Sequence, residues 1–147
     1  ELYVLAGQQY MRGESPTAIN WELQPLTKYF FGMFAQNPLV VQYLYALGVF
    51  YLLYKLSKQI LLRRNVFVHL IPGLLFLTDH LSMEQLNNPY LDLGQTFFIL
   101  LFIYYLWCYL ATNNRVTIVA LILGLVALSK SFSIGILLGL FSIISIY

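Results

Sequence analysis

The chain has 147 residues, of which 60% are hydrophobic, 17% aromatic and only 10% charged, with a formal net charge of +2. Soluble domains carry about 25% charged residues, so this composition excludes a water-soluble globule and points to a bilayer. A membrane-crossing helix uses about 20 residues, which leaves room for a handful of spans and none for a separate soluble domain.

Residues 1–37 mix Glu1, Arg12, Glu14, Glu22 and Lys28 with Tyr3, Tyr10, Trp21, Tyr29, Phe30 and Phe31. Aromatic rings with polar tips favour the headgroup level. This stretch therefore predicts an external loop with interfacial helices over about 2–12 and 25–35, joined by the turn-rich Gly13-Glu14-Ser15-Pro16-Thr17.

Pro38 opens a predicted span over 38–56, because Pro in a first helical turn removes no hydrogen bond. Gln42 is the polar residue in its outer half, and the basic segment Lys55, Lys58, Arg63 and Arg64 follows. A third segment, 66–81, is short and contains Pro72-Gly73, which predicts a kink or a tilt there. Asp79, His80 and Glu84 mark its exit, with Asp79-His80 reading as a hairpin end. Beyond the polar loop 83–89, Asp92 sits at the entry of a span over 91–110, where the helix dipole favours an acid.

After the turn Thr112-Asn113-Asn114-Arg115, residues 116–147 are apolar except around Lys130. A single helix of 32 residues would be about 48 Å long, so two spans, 116–129 and 132–147, fit better. The expected fold is an all-α, polytopic transmembrane bundle of about five spans. Glu1 is not an initiator Met and the chain stops at Ile146-Tyr147 within an apolar run, so it reads as one incomplete domain, a fragment.

Chemistry is bounded by what is scarce. Cys108 is the sole cysteine and reads as a small hydrophobe, while His69 and His80 are too few and too separated for a zinc motif. No cleavable signal peptide is visible. Nucleic-acid binding is excluded, since no basic groove or stacking platform stands outside the apolar segments.

If successive spans alternate, Lys55, Lys58, Arg63, Arg64 and Arg115 share one side, which the positive-inside rule makes cytoplasmic. The other side receives all six acids together with Arg12, Lys28 and Lys130. Topology anchoring accounts for the cytoplasmic bases. The mixed cluster outside has no such explanation, and chemistry is sought there.

Several of those residues fall in an ordered set. The opening Glu1-Leu2-Tyr3-Val4-Leu5-Ala6-Gly7-Gln8-Gln9-Tyr10 and the stretch Asn20-Trp21-Glu22-Leu23-Gln24-Pro25-Leu26-Thr27-Lys28-Tyr29 resemble the first external loop of GT-C membrane glycosyltransferases, closest to protein O-mannosyltransferase and aminoarabinose transferase-like enzymes. In that family an Asp-Glu pair is followed by a motif of the form Glu-His-Pro-Pro-Leu-x-Lys-Tyr. Glu1 would be the second member of the pair, with the family's catalytic Asp one residue before it. Glu22, Pro25, Leu26, Lys28 and Tyr29 match the second motif, while Leu23 and Gln24 replace its His and Pro. Asp92 resembles the Asp that often opens the fourth span, although the basic residue commonly found before it is replaced by Asn87-Asn88-Pro89. Gly124 through Lys130 resembles the ending of the fifth span.

The resemblance implies transfer of a sugar from a polyprenyl-phosphate donor to an acceptor protein or glycolipid at the non-cytoplasmic face, in a prokaryotic plasma membrane. Such a reaction needs a carboxylate near the acceptor hydroxyl, which casts Glu1 and Asp92 as the catalytic acids. It also needs cations at the lipid phosphate, which casts Lys28 and Lys130, with Glu22 orienting the sugar or holding Lys28. No cofactor is firmly implied, and a divalent metal stays compatible. Each residue has a plainer reading beside this one: solvated acids for Glu1 and Glu22, a snorkelling lysine for Lys28, a helix cap for Asp92 and an interface marker for Lys130. The alternative function is a non-catalytic polytopic membrane protein, an assembly subunit or transport component. Transporters more usually hide ionisable groups near the midplane of their spans, where this chain has almost none.

Overall fold

A computed structural model describes residues 2–14, 26–61, 65–112 and 116–129. Among the described residues the chain forms seven α-helices and no strand: α1 (Leu2–Met11), α2 (Leu26–Met33), α3 (Leu39–Ile60), α4 (Val66–Thr78), α5 (His80–Asn87), α6 (Asp92–Thr112) and α7 (Val116–Ser129), with α5 taking up most of the stretch expected as the polar loop 83–89. Six of these begin within one residue of the expected starts. The expected segment 132–147 lies outside the described residues.

Among the described residues two helices, Leu39–Ile60 and Asp92–Ala111, are long and apolar enough to cross a membrane, and α4 with α5 forms a bent pair that would count as a third. At 1.5 Å per residue, the described part of α7, 14 residues, is about 21 Å long. The helices pack in a branched order: α1 on α2, α3 against both α4 and α6, and α7 on α6 while also touching α2.

Contacts between the long helices fix their directions. Tyr45 of α3 meets Phe97 and Phe98 of α6 at ring-centroid distances of 5.6 and 5.9 Å, and further along Gln59 Nε2 donates to Cys108 Sγ at 3.6 Å. Residue numbers rise together, so α3 and α6 run parallel. By contrast α4 runs back along α3: Gly73 receives the ring of Phe50, and Ser57 Oγ lies 3.4 Å from His69 Nδ1. The starts of α3 and α6 and the end of α4 therefore share one end of the bundle.

Helix α3 extends four residues past its expected end at 56. Its polar last turn stays helical because Ser57 packs against α4 and Gln59 against α6. The kink expected at Pro72-Gly73 falls elsewhere: α4 continues unbroken through Pro72, and the chain bends by 63° between α4 and α5. At the bend, Asp79 has extended backbone geometry and its Oδ2 accepts hydrogen bonds from Ser82 N at 3.0 Å and Ser82 Oγ at 3.3 Å. An acid that caps a new helix outweighs a proline whose ring the existing helix accommodates.

The core gathers Phe31, Val41, Tyr45, Val49, Leu93, Phe98, Phe102, Ile122 and Val126 from α2, α3, α6 and α7, with Leu91 just before α6. By contrast Phe67, Ile71, Leu74 and Leu75 on α4 are exposed, with Phe67 78% accessible. An apolar face of this kind suits lipid rather than water.

Candidate functional site

The site forms where α2, the start of α3 and the start of α6 meet. Helix α1 crosses α2 at two glycines: a Cβ on Gly32 would stand 2.5 Å from the Gly7 carbonyl carbon, and one on Gly7 would stand 2.7 Å from the Gly32 nitrogen. Small residues at such a crossing let two backbones touch. Here they bring α1 onto the backbone of Lys28 itself, whose carbonyl lies against Gly7.

Lys28 is consequently fully buried. Its ammonium stands 5.9 Å from the centroid of the Tyr3 ring on α1, a distance at which the ring face attracts a cation. The snorkelling geometry expected for an interfacial lysine is replaced by coverage from α1. One turn along the same pair, the rings of Tyr10 and Tyr29 stack at 5.1 Å and 26°. Desolvation and then the neighbouring phenol of Tyr29 push the Tyr10 pKa above its ordinary value of 10.0.

Thr27, next to Lys28, is also fully buried. It faces Gly94 of α6, where an added Cβ would come 3.0 Å from Thr27 Oγ1 and 3.0 Å from Tyr45 Cε2. Gly94 is two residues beyond Asp92, so α2 and the Asp92 turn are brought to the same place. Asp92 is the first residue of α6 and half-buried. Its carbonyl accepts from Thr96 Oγ1 at 2.9 Å, and its position in the first turn is one that the helix dipole favours for an acid.

Gln42 completes the frame. It is fully buried on α3, and its Nε2 donates to the carbonyls of Asn88 at 2.7 Å and Tyr90 at 2.8 Å. These bonds clamp the α5–α6 turn to α3 and so set where Asp92 begins its helix. Among the described residues the buried Oε1 of Gln42 has no hydrogen-bond partner, an arrangement that costs stability unless another group reaches it.

Beside this frame lies a cavity of about 630 Å³ lined by Val4, Leu5, Gln8, Ala35, Gln36, Asn37, Pro38, Leu39, Asn88 and Pro89. A neighbouring cavity of about 600 Å³ shares Gln8, Ala35, Gln36 and Asn37. Both fall within the range typical of small-molecule sites. Their polar lining is made of uncharged amides, which can both donate and accept.

Of the residues singled out from the sequence, Lys28 and Asp92 are brought to this end together. Glu1, Glu22 and Lys130 lie outside the described residues. The roles of Thr27 and Tyr3 and the Gly7–Gly32 crossing carried no signal of their own in the sequence, whereas Gln42 was visible as a lone amide in an apolar run. Among the described residues, no group of three or more His, Cys, Asp or Glu side chains is placed to hold a metal ion. No protein-family model, curated protein or solved structure matches the chain.

Proposed function

We propose that the chain forms part of an integral-membrane glycosyltransferase of the GT-C kind, moving a sugar from a polyprenyl-phosphate donor to an acceptor at the non-cytoplasmic face of a prokaryotic plasma membrane. In this reading α1 and α2 lie along the membrane surface, α3, α4 with α5, α6, α7 and residues 132–147 supply about five spans, and the Lys28 end faces outward. The observation that carries it is the grouping at one end of Lys28, the Asp92 turn and an amide-lined cavity. The same long helices offer no acid elsewhere along their length.

The chemistry assigns roles by charge. A donor phosphate needs a cation at the interface, and Lys28 in a low-dielectric setting interacts with an anion more strongly than it would in water. An acceptor hydroxyl needs a carboxylate to take its proton as the glycosidic bond forms, a part for which Asp92 is the candidate among the described residues, while Glu1, second in the family's Asp-Glu pair, would position the substrate beside it. Gln8, Gln36, Asn37 and Asn88 suit the neutral hydroxyls of a sugar. Glu22 orients the sugar, and Lys130 meets the leaving phosphate.

A second reading, a non-catalytic membrane subunit, is favoured by the complete burial of Lys28. Full-length protein in proteoliposomes, supplied with a radiolabelled polyprenyl-phosphate sugar, separates the two. Asp92→Asn is expected to lower transfer by about 100-fold or more, and Lys28→Met to weaken donor use at unchanged thermal stability. Unchanged transfer in both folded variants removes the enzyme reading. A loss of stability in Lys28→Met with no effect on transfer supports the structural one.

A further inference from the structure

A second groove runs between α3 and α6 at the end opposite Lys28. Gly48, Tyr51, Phe97, Leu101 and Tyr104 line it, Lys55 stands at its mouth, and its volume is about 280 Å³. Gly48 makes its floor, since the Phe97 ring occupies the space a side chain would take there. The Lys55 ammonium lies 5.6 Å from the Tyr51 ring centroid.

Charge sets the occupant. The sequence has no Asp or Glu between Glu22 and Asp79 and none after Asp92, so α3, α4 and the length of α6 beyond Asp92 offer Lys55 no carboxylate. Lys58 adds a second base on the next turn of α3, and Arg63 and Arg64 follow in sequence. Lys55 is 16 residues beyond Leu39, which puts it about 24 Å along the helix and so near the far boundary of a hydrocarbon core roughly 30 Å thick. A cation at headgroup depth above an aromatic and aliphatic trough matches one class of ligand, an anion carrying a hydrocarbon chain.

We infer that this groove binds an anionic glycerophospholipid of the opposite leaflet, with its phosphate at Lys55 and one acyl chain descending between Tyr51, Leu101 and Tyr104 toward Gly48. The cavity is just below the usual size of a small-molecule pocket, so it takes the upper part of one chain and leaves the second in the bilayer. The inference rests on α3 and α6 spanning a membrane and needs no sugar transfer.

The test is lipid retention by the chain in detergent, read by native mass spectrometry with dioleoyl phosphatidylglycerol, dioleoyl phosphatidylcholine and glycerol 3-phosphate as probes. The anionic lipid is expected to be retained about fivefold over the zwitterionic one, the effect of one lysine near a charged headgroup. Lys55→Met brings that ratio close to one, Lys55→Arg preserves it, and Lys58→Met, which removes the same charge outside the groove, leaves it unchanged. Leu101→Trp, filling the groove with Lys55 intact, lowers retention of the anionic lipid. Equal retention of the two lipids, an equal loss in Lys58→Met, full retention in Leu101→Trp, or displacement by glycerol 3-phosphate would each overturn it. Sugar transfer plays no part in the readout, so failure of the glycosyltransferase reading is separately visible.

Discussion

Gly7 and Gly32 meet backbone to backbone where α1 crosses α2, and a Cβ on Gly32 would stand 2.5 Å from the Gly7 carbonyl carbon. That crossing is what covers Lys28. Gly32→Ala must push the helices apart, and overpacking of this kind costs about 1–3 kcal/mol. The expected result is a lower unfolding temperature together with faster acylation of Lys28 by an amine-reactive ester, followed by peptide mapping. Gly124→Ala is the control: nothing lies within 4 Å of its added Cβ, so it should be neutral or, by helix propensity, stabilising by up to about 1 kcal/mol.

Gln42→Leu puts an apolar side chain of similar size into α3 and removes the donor that the carbonyls of Asn88 and Tyr90 share. The Asn88 carbonyl keeps its bond from Tyr90 N at 2.8 Å, so the cost falls mainly on the Tyr90 carbonyl, at about 1–3 kcal/mol. Amide exchange should accelerate across 88–95, where the α5–α6 turn loses its clamp, while α4 exchanges as before. Unaltered exchange in that stretch would show that the turn holds itself.

The bend between α4 and α5 is assigned to Asp79 rather than to Pro72. Asp79→Ala removes the acceptor for Ser82 and should lower the stability of α5 by about 1 kcal/mol, seen as faster exchange over 80–87. Pro72→Ala should leave the 63° bend in place, as spin-label distances across positions flanking the bend would record. A straightened pair in Pro72→Ala would return the bend to the proline.

The phenol of Tyr10 carries a pH dependence of definite sign. Its pKa is raised above 10.0, first by desolvation and then by Tyr29, so the folded state favours the neutral ring more than the unfolded chain does. The resulting stabilisation is complete below pH 10 and is lost as pH rises through the folded value. Helix content followed from about pH 9 to pH 11.5 should therefore fall further in the native chain than in Tyr10→Phe, which keeps the stacked ring without the ionisation. Identical curves would mean that Tyr10 ionises without cost.

The helix starts were legible because their signals are local. Pro38 and Asp92 each sit where a first turn tolerates or prefers them, and α3 and α6 begin beside them. Composition also separated the ends of the bundle: Lys28, Asp79 and Asp92 belong to elements at one end, Lys55 and Lys58 to the other. The site was legible only in part, because its determinants are pairings between distant residues. Gly7 finds Gly32, Thr27 finds Gly94, and Gln42 finds Asn88 and Tyr90, and no periodicity along one helix announces its partner on another. Lys28 shows the limit most clearly. Its aromatic neighbours implied an interfacial cation reaching toward lipid, yet the small face of α1 buries it.

The parallel course of α3 and α6 leaves α4 to carry the chain back between them, and α4 has only 13 residues against 22 in α3. At 1.5 Å per residue these are about 20 and 33 Å. Across a hydrocarbon layer of roughly 30 Å, the exposed Phe67, Ile71, Leu74 and Leu75 cover only part of the depth that α3 covers. Lipids beside α4 must shorten their chains or disorder to follow it, at a cost of fractions of a kcal/mol per Å of mismatch. In a bilayer crossed by α3 and α6 that flank would thin the layer locally, and stability is then expected to depend on acyl-chain length and to be greatest in the shorter-chain lipids that match α4.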